Sequence, residues 1–550
     1  MSPASSSFTA RTPSSSRSHG WAVLGVVALA LLLRTVFYTG YFGSDEVTYI
    51  ESGFKLLGGD WQVSDYVGAN RYGVNLPIAA FGALLGRNEW SAAAYSMLCS
   101  LAEIALVAGM GRRLVGERAA LVAALILACL PTHVHLAGRI MADAPLSLAI
   151  TASFLFFFDG ELRGQAGARD GHDGRRSYFI AGCAAGLTFW IKPAAMIYLA
   201  VFLLYPLFFR RFDLRWGWMI LGFAVVVVAN NLLFLILTGD ALYLFKAMKS
   251  RQASGYLEAE AVLGAIKDSP LYYPNHLLFK MHHTWLLGHL ALLGVVLWIR
   301  TRLRSQGGAG AAGRTYVVFW SIGLLAVLSL LVISWSPLMF VPKQTNYMLM
   351  FTTPLALLAG HVVAQLQGVR LAAALTLVLV PSVLLAALHQ SVVHVFTANS
   401  KAAVSFAAAH PQAAVFANTN PHRAAMFHNL VRPEDPPVRI GSMAELKSLG
   451  SAAPESSAAR QDWFVILDQT TLAWASSEPI RRLEDAPACW TVHSTLQPIV
   501  HGLGWRLQIG LLKLADHLPV GLGTEAIARW RKQAAPQRAV VYKVPASGCP

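Results

Sequence analysis

The sequence predicts an α-helical polytopic membrane protein of about eleven spans, with an extracytoplasmic α/β domain at its C-terminal end. Three observations carry that expectation. Only 13% of the 550 residues are charged and 55% are hydrophobic, with a mean hydropathy of +0.49, whereas a soluble domain carries about 25% charged residues. The apolar residues fall in blocks close to the roughly 17–25 residues that a bilayer crossing needs. Arginine is concentrated in alternate connections between those blocks, as cytoplasmic loops require. Together these exclude a disordered chain, a coiled coil and an ordinary soluble enzyme. The net charge of +15 is that of a topology signal, because no basic patch with interleaved aromatics offers a nucleic-acid surface.

Residues 1–20 are rich in Ser, Pro and Arg and read as a disordered cytoplasmic tail. Trp21 to Tyr38 is a first span; no small-residue cleavage site follows it, so it stays attached. Further spans are expected near 90–111, 118–136, 143–159, 178–191, 194–209, 216–237, 283–299, 316–335, 347–366 and 371–388, with a partial helix at Leu76 to Gly86. Loops 111–118, 161–177, 210–216 and 300–314 hold fourteen arginines, whereas 132–142 and 336–346 hold only Arg139 and Lys343. This bias puts the N-terminus inside, and an odd number of spans leaves everything after His389 outside. A membrane domain at 21–388 and an outer domain at 389–550 follow. An alanine-rich composition that prefers arginine to lysine suits a GC-rich bacterium, and so its cytoplasmic (inner) membrane.

The outer side holds loop 39–89, loop 238–282 and the tail. In the tail, 413–418, 463–468 and 539–544 are short β-rich runs between helical patterns, the signature of a small α/β domain. Asp468 at a strand end and His422 at a helix start occupy positions where such folds place binding groups. Cys489 and Cys549 lie outside the cytoplasm, where a disulfide is permitted. Cys99, Cys129 and Cys183 sit in apolar segments as small hydrophobes.

Acidic residues are scarce, so their positions inform. In GSDEVTYIESGFKLLGG, Ser44 suits an N-cap, and Val47, Ile50, Phe54 and Leu57 recur at helical spacing. This predicts an amphipathic helix on the outer surface with Asp45 and Glu46 in its first turn. Carboxylates there offset the helix dipole and need no other purpose. In PTHVHLAGRIMADAPL, Asp143 lies on the same outer side, four residues after Arg139, and Pro145 again marks a helix start. His133 and His135, two apart, are the candidate ligands for a divalent metal, against simple hydrogen bonding at the interface. Lys192 and Lys343 mark outer ends of spans, either snorkelling or clamping an anionic headgroup. Carboxylates beside cations suit proton abstraction from a hydroxyl next to a phosphate leaving group. Glu103 is the clearly mid-span acid and calls for a partner on a neighbouring helix.

The first helix ending in Arg34, the DE pair after it, the run from Arg87 to Pro131 and GRIMADAPLSLAITASFLFFF together resemble integral membrane glycosyltransferases of the GT-C fold. The pattern is similar to the protein O-mannosyltransferases, the lipid A aminoarabinose transferase and RgtA-like sugar transferases. It is strong over 20–210 and thinner over 210–390. The resemblance implies transfer of a sugar from a polyprenyl-phosphate donor to a hydroxyl of an envelope glycan, lipid or protein. It implies Asp45 as the base, Glu46 as its partner, Asp143 as the second-loop aspartate and Arg139 as the basic residue preceding it. Lys343 and Tyr347 match a late KxxxY segment that usually carries Arg before Tyr; Asn346 stands there instead. Arg71 and Lys192 join Lys343 and Arg139 as expected contacts of the lipid phosphate. Two rival classes remain: a transporter or flippase, which would place ionisable groups near the midplane, and a non-catalytic assembly protein, for which the DE pair is dispensable.

Overall fold

A computed structural model describes residues 13–43, 45–166, 174–253, 269–304, 311–335, 338–451, 463–472, 479–517 and 524–545. Each expected span falls on a helix or a helix pair. The helices are α1 (Pro13–Val36), α2 (Glu46–Leu57), α3 (Tyr72–Leu85), α4 (Glu89–Val115), α5 (Glu117–Cys129), α6 (Pro131–Ala137), α7 (Asp143–Ala166), α8 (Arg175–Ile191) and α9 (Ala200–Phe209). They continue with α10 (Gly217–Thr238), α11 (Tyr243–Ala253), α12 (Tyr272–Leu278), α13 (Leu287–Leu303), α14 (Ala311–Leu330), α15 (Leu349–Val363) and α16 (Gly368–Ala409). Among the described residues seven are long and apolar enough to cross a membrane, or eight if the bent pair α5–α6 is one span. The chain is a multi-pass membrane protein.

Three boundaries differ from expectation for identifiable reasons. The span expected at 118–136 bends by 60° between α5 and α6, because Pro131 donates no backbone N–H and holds Leu130 extended, while fitting the first turn of a new helix. The span expected at 316–335 stops at Leu330, and β1 (Val332–Trp335) pairs antiparallel with β2 (Leu338–Phe340). The last helix does not end at 388. Residues 389–409 turn polar without losing helix propensity, so α16 runs for 42 residues, about 63 Å, and the expected domain junction falls inside it. Hydropathy marks where a membrane ends, not where a helix does.

The tail forms a five-stranded sheet in the order β4-β3-β5-β7-β6, built from β3 (Ala414–Ala417), β4 (Gly441–Ser442), β5 (Trp463–Asp468), β6 (Thr491–Thr495) and β7 (Ala539–Val544). The β3 strand pairs parallel with β4 and β5, and β7 pairs antiparallel with β5 and β6. The three β-rich runs of the sequence are thus β3, β5 and β7. Helices α17 (Thr419–Val431), α18 (Met443–Ser451), α19 (Leu503–Ala515) and α20 (Thr524–Gln533) complete the domain. Cys489 is disulfide-bonded; Cys549 lies outside the described residues.

The C-terminal half of α16 carries this domain. Asn399 donates to Asp468 Oδ1 at 2.7 Å and to the Gln537 carbonyl at 2.8 Å. Asp468 also accepts from Thr471 Oγ1 at 2.8 Å and the Thr470 N–H at 3.0 Å, so it is a structural clamp. Burial pushes its carboxyl above the usual range, against these hydrogen bonds. His422 is likewise spent on the Ile440 carbonyl at 2.6 Å. Helix α19 lies so close to α16 that a Cβ on Gly504 would stand 2.0 Å from the Ala387 carbonyl oxygen.

Within the bundle, polar side chains fix the helices where no hydrophobic difference between lipid and protein can. Arg34 is fully buried and donates to Ser100 Oγ at 2.8 and 2.9 Å and to the Ala128 carbonyl at 3.1 Å. Glu103 Oε1 accepts from Ser147 at 2.9 Å and Thr151 at 2.7 Å on α7, and from Thr353 at 2.8 Å on α15. These are the neighbouring-helix partners that a mid-span acid requires. At the arginine-rich end, Asp159 binds Arg113, Arg163 and Ser177, and Glu161 binds Tyr178, Tyr205, Trp216 and Arg211. Replacing Glu103 by Leu removes the acceptor that three hydroxyls share and should cost about 1–3 kcal/mol, read as a lower melting temperature of the purified protein; an unchanged melt would contradict this role.

Candidate active site

The site is at the end of the bundle opposite the arginine-rich loops. Helix α2 forms there because Val47, Ile50 and Phe54 bury one face against α3, whose Gly82 would put a Cβ 2.9 Å from Phe54. Asp45 occupies the N-cap position, and Ser44 lies outside the described residues. The Asp45 side chain caps nothing; its carboxylate accepts from the Tyr66 hydroxyl at 3.0 Å. The dipole-offsetting role that a first-turn aspartate could fill therefore does not consume it.

Glu46 points the other way, into the protein. It is 1% exposed and takes the Phe42 and Gly43 N–H groups at 2.9 and 3.2 Å and Arg139 Nε at 2.6 Å. The Arg139 guanidinium also lies 3.8 Å from the centre of the Phe42 ring. One buried ion pair thus ties the start of α2 to the loop after α6. Asp143 opens α7 a few residues later and is also buried. Its Oδ1 accepts from Asn346 at 3.0 Å and lies 3.6 Å from Lys192 Nζ, while its Oδ2 is buried without a hydrogen bond.

Tyrosines join the two carboxylate centres. Lys192 sits 4.4 Å over the Tyr347 ring, and Arg71 hydrogen-bonds the Tyr49 hydroxyl. Burial raises the Tyr49 phenol well above its ordinary range, and the negative charges of Asp45 and Asp143 add to that, which places Tyr49 within electrostatic reach of both. Burial works against the Arg71 charge, but Tyr49, Asp45, Tyr66 and Tyr347 outweigh it and hold the guanidinium protonated more firmly than usual. Seven expected residues are therefore gathered: Asp45, Glu46, Asp143, Arg71, Arg139, Lys192 and Tyr347.

Three expected residues stand apart. Lys343 is 1% exposed and its Nζ donates to the Val341 carbonyl at 3.2 Å. His133 bonds Thr352 Oγ1 at 2.9 Å, whereas the His135 ring faces His389 at 5.6 Å. Residues two apart on a helix differ by about 200° around its axis, so a spacing that would pair ligands on a strand separates them on α6. Among the described residues no three His, Cys, Asp or Glu side chains are arranged to hold a metal ion, and no step below uses one.

Tyr49, Tyr66 and Asn346 were not legible as site residues. Asn346 stood out in the sequence only as a departure from a motif, and Tyr66 is brought back to Asp45 by a short 3-10 turn at Val67–Asn70. Beside Asp143 opens a cavity of about 990 Å³ lined by Arg139, Asp143 and Asn346, by apolar residues of α16, and by Trp530 and Lys532 of α20. The outer domain thus forms one wall. Arg139→Leu leaves Glu46 buried without a counter-charge and should cost about 3–5 kcal/mol; the double variant Glu46→Leu/Arg139→Leu should recover most of it. Equal melting of Arg139→Leu and wild type would refute the coupling of α2 to the loop after α6.

Residues 73–234 match the family model described as dolichyl-phosphate-mannose-protein mannosyltransferase. No curated protein sequence matches the chain. Among solved structures the chain is similar to ArnT from Cupriavidus metallidurans in the apo state, with a TM-score of 0.54 and 16% identity over 97% of this chain and 100% of that one. The same protein bound to undecaprenyl phosphate gives 0.53 and 16% over 96% and 99%. The Archaeoglobus fulgidus oligosaccharyltransferase in the apo form gives 0.53 and 11% over 96% and 88%. The helical bundle with its appended sheet, and the likeness of almost the whole chain to these solved structures, make this chain a polytopic membrane protein of the GT-C fold, the fold of these membrane glycosyltransferases.

Proposed function

We propose that the chain is a glycosyltransferase that moves a sugar from a polyprenyl-phosphate carrier to an acceptor hydroxyl outside the cytoplasmic membrane of a bacterium. The observation that carries this reading is the convergence of Asp45 and Asp143 around Arg71, Tyr49, Lys192 and Tyr347, beside a cavity with an apolar flank. The mannosyltransferase-family match and a neighbour that binds undecaprenyl phosphate support it.

In this reading Asp45 takes the proton of the acceptor hydroxyl, the one carboxylate of the pair not already engaged by a cation. The acceptor oxygen forms a bond to the anomeric carbon as the bond from that carbon to the phosphate oxygen breaks. The electron pair leaves with the polyprenyl phosphate. A single displacement of this kind inverts the anomeric configuration. Asp143 orients the sugar through its unbonded Oδ2, with its charge offset by Lys192 and its rotamer held by Asn346. Arg139, Arg71 and Lys192 supply positive charge around the leaving group, where preorganised donors act in a site shielded from water. Tyr347 fixes the ammonium of Lys192 by lying under it. Glu46 acts at one remove, holding Arg139 and through it the geometry of the loop.

General-base removal is worth about 10²–10⁴-fold in rate. Asp45→Asn should therefore lower transfer of a labelled sugar from its polyprenyl phosphate by at least about 100-fold, with wild-type yield and melting temperature. Transfer at the wild-type rate in that variant would make Asp45 a surface residue and overturn the assignment.

A further inference from the structure

The cations that supply positive charge around the leaving group are each already paired with a protein side chain, which leaves direct donation to the phosphate oxygens to other groups. Arg139 is held by Glu46, Lys192 by Asp143, and Arg71 by Tyr49. The 990 Å³ cavity nevertheless has a second polar wall, made of His135 from α6, His282 and His283 from the turn before α13, and His389 from α16. Their rings form a continuous cluster. His282 and His283 are 4.1 Å apart between centres, His283 and His389 are 5.0 Å apart, and His135 and His389 are 5.6 Å apart. Three separate stretches of sequence bring them together, and His276 adjoins from behind at 6.2 Å from His283.

Two further features point to a ligand. His135 Nδ1 is buried and has no hydrogen-bond partner, which is costly unless something else occupies it. The same cavity is also lined by Leu385, Leu388, Val392 and Phe396 on α16 and by Arg139 with Asp143. The other charges facing the space are Arg139, Asp143 and Lys532, so positive groups outnumber the one carboxylate. An amphiphile with an isoprenoid chain and a phosphate head fits that lining. Its chain would lie on the α16 side chains, which continue toward the lipid-exposed Leu384 and Leu377, and its sugar would reach Asp143.

Building on the transferase reading above, we propose that the imidazoles of His135, His282, His283 and His389 hold the phosphate of the lipid-linked donor. Imidazole N–H groups donate to phosphate oxygens as neutral tautomers, burial and the neighbouring imidazoles holding His282, His283 and His389 below their ordinary basicity.

The test measures binding of undecaprenyl phosphate and of undecaprenol, which lacks the phosphate, to the full chain in nanodiscs. Wild type should prefer the phosphate by about tenfold or more. His283→Gln and His389→Gln should each lose most of that preference while binding undecaprenol as wild type does. If either fails to fold, as judged by its melting temperature, the exposed His282→Gln makes the same comparison. No preference in wild type would sink the donor assignment itself. A preference kept in all the histidine variants would overturn only the histidine wall. Zinc-dependent stabilisation of wild type that the variants lack would make the cluster a metal site and overturn it as well.

Discussion

The arrangement depends on one buried ion pair. Glu46 opens α2 and Arg139 lies in the loop after α6, 93 residues apart, and their side chains meet at 2.6 Å with almost no exposure. Taking both charges out of water costs several kcal/mol each, and their attraction repays that only when the remaining hydrogen-bonding capacity is met. Here the Phe42 and Gly43 N–H groups complete the carboxylate and the Phe42 ring covers the guanidinium. The pair is thus better understood as a register device than as a source of stability. It sets where α2 starts relative to α7, and so where Asp45 stands relative to Asp143.

Everything nearer the chemistry inherits that register. Asp45, adjacent to Glu46, is turned outward to Tyr66, while Asp143, four residues after Arg139, is turned inward to Asn346 and Lys192. The adjacent carboxylates Glu46 and Asp45 receive opposite environments, Glu46 spent on the ion pair and Asp45 left for substrate. The break at Pro131 contributes too: by bending α5 into α6 it carries His135 toward the cavity and His133 toward Thr352. The long α16 then closes the far side, because its continuation past the membrane brings the sheet domain, and with it Trp530 and Lys532, over the same space.

Much of the fold was legible because a bilayer imposes a simple code. An apolar block of span length has few other fates, and arginine-rich loops mark one side. The three β-rich runs of the tail read correctly as strands for a similar reason, being apolar runs bounded by turns. What hydropathy cannot mark is a helix that continues into water, hence the misplaced end of α16. The site was legible where chemistry is compact in sequence, as in the DE pair and the Arg139–Asp143 segment. It was not legible where folding assembles distant residues: nothing near position 46 announces Arg139, and the histidine wall is scattered over 135, 282–283 and 389. The HxH pair left metal binding and hydrogen bonding open, because its meaning changes with secondary structure, and on α6 His133 bonds Thr352. Lys343 misled because a lysine at the end of a span can turn inward to a carbonyl as readily as outward to a headgroup.

The measurement that bears most directly on the central claim follows both halves of a lipid-linked sugar. Proteoliposomes containing the full chain would receive a panel of polyprenyl-phosphate sugars, labelled in the sugar, together with envelope extract. The account predicts that label leaves the lipid for an acceptor of opposite anomeric configuration, with one free polyprenyl phosphate released per sugar moved. Movement of the intact labelled lipid across the membrane, with the sugar–phosphate bond unbroken, would contradict it and make the chain a transporter.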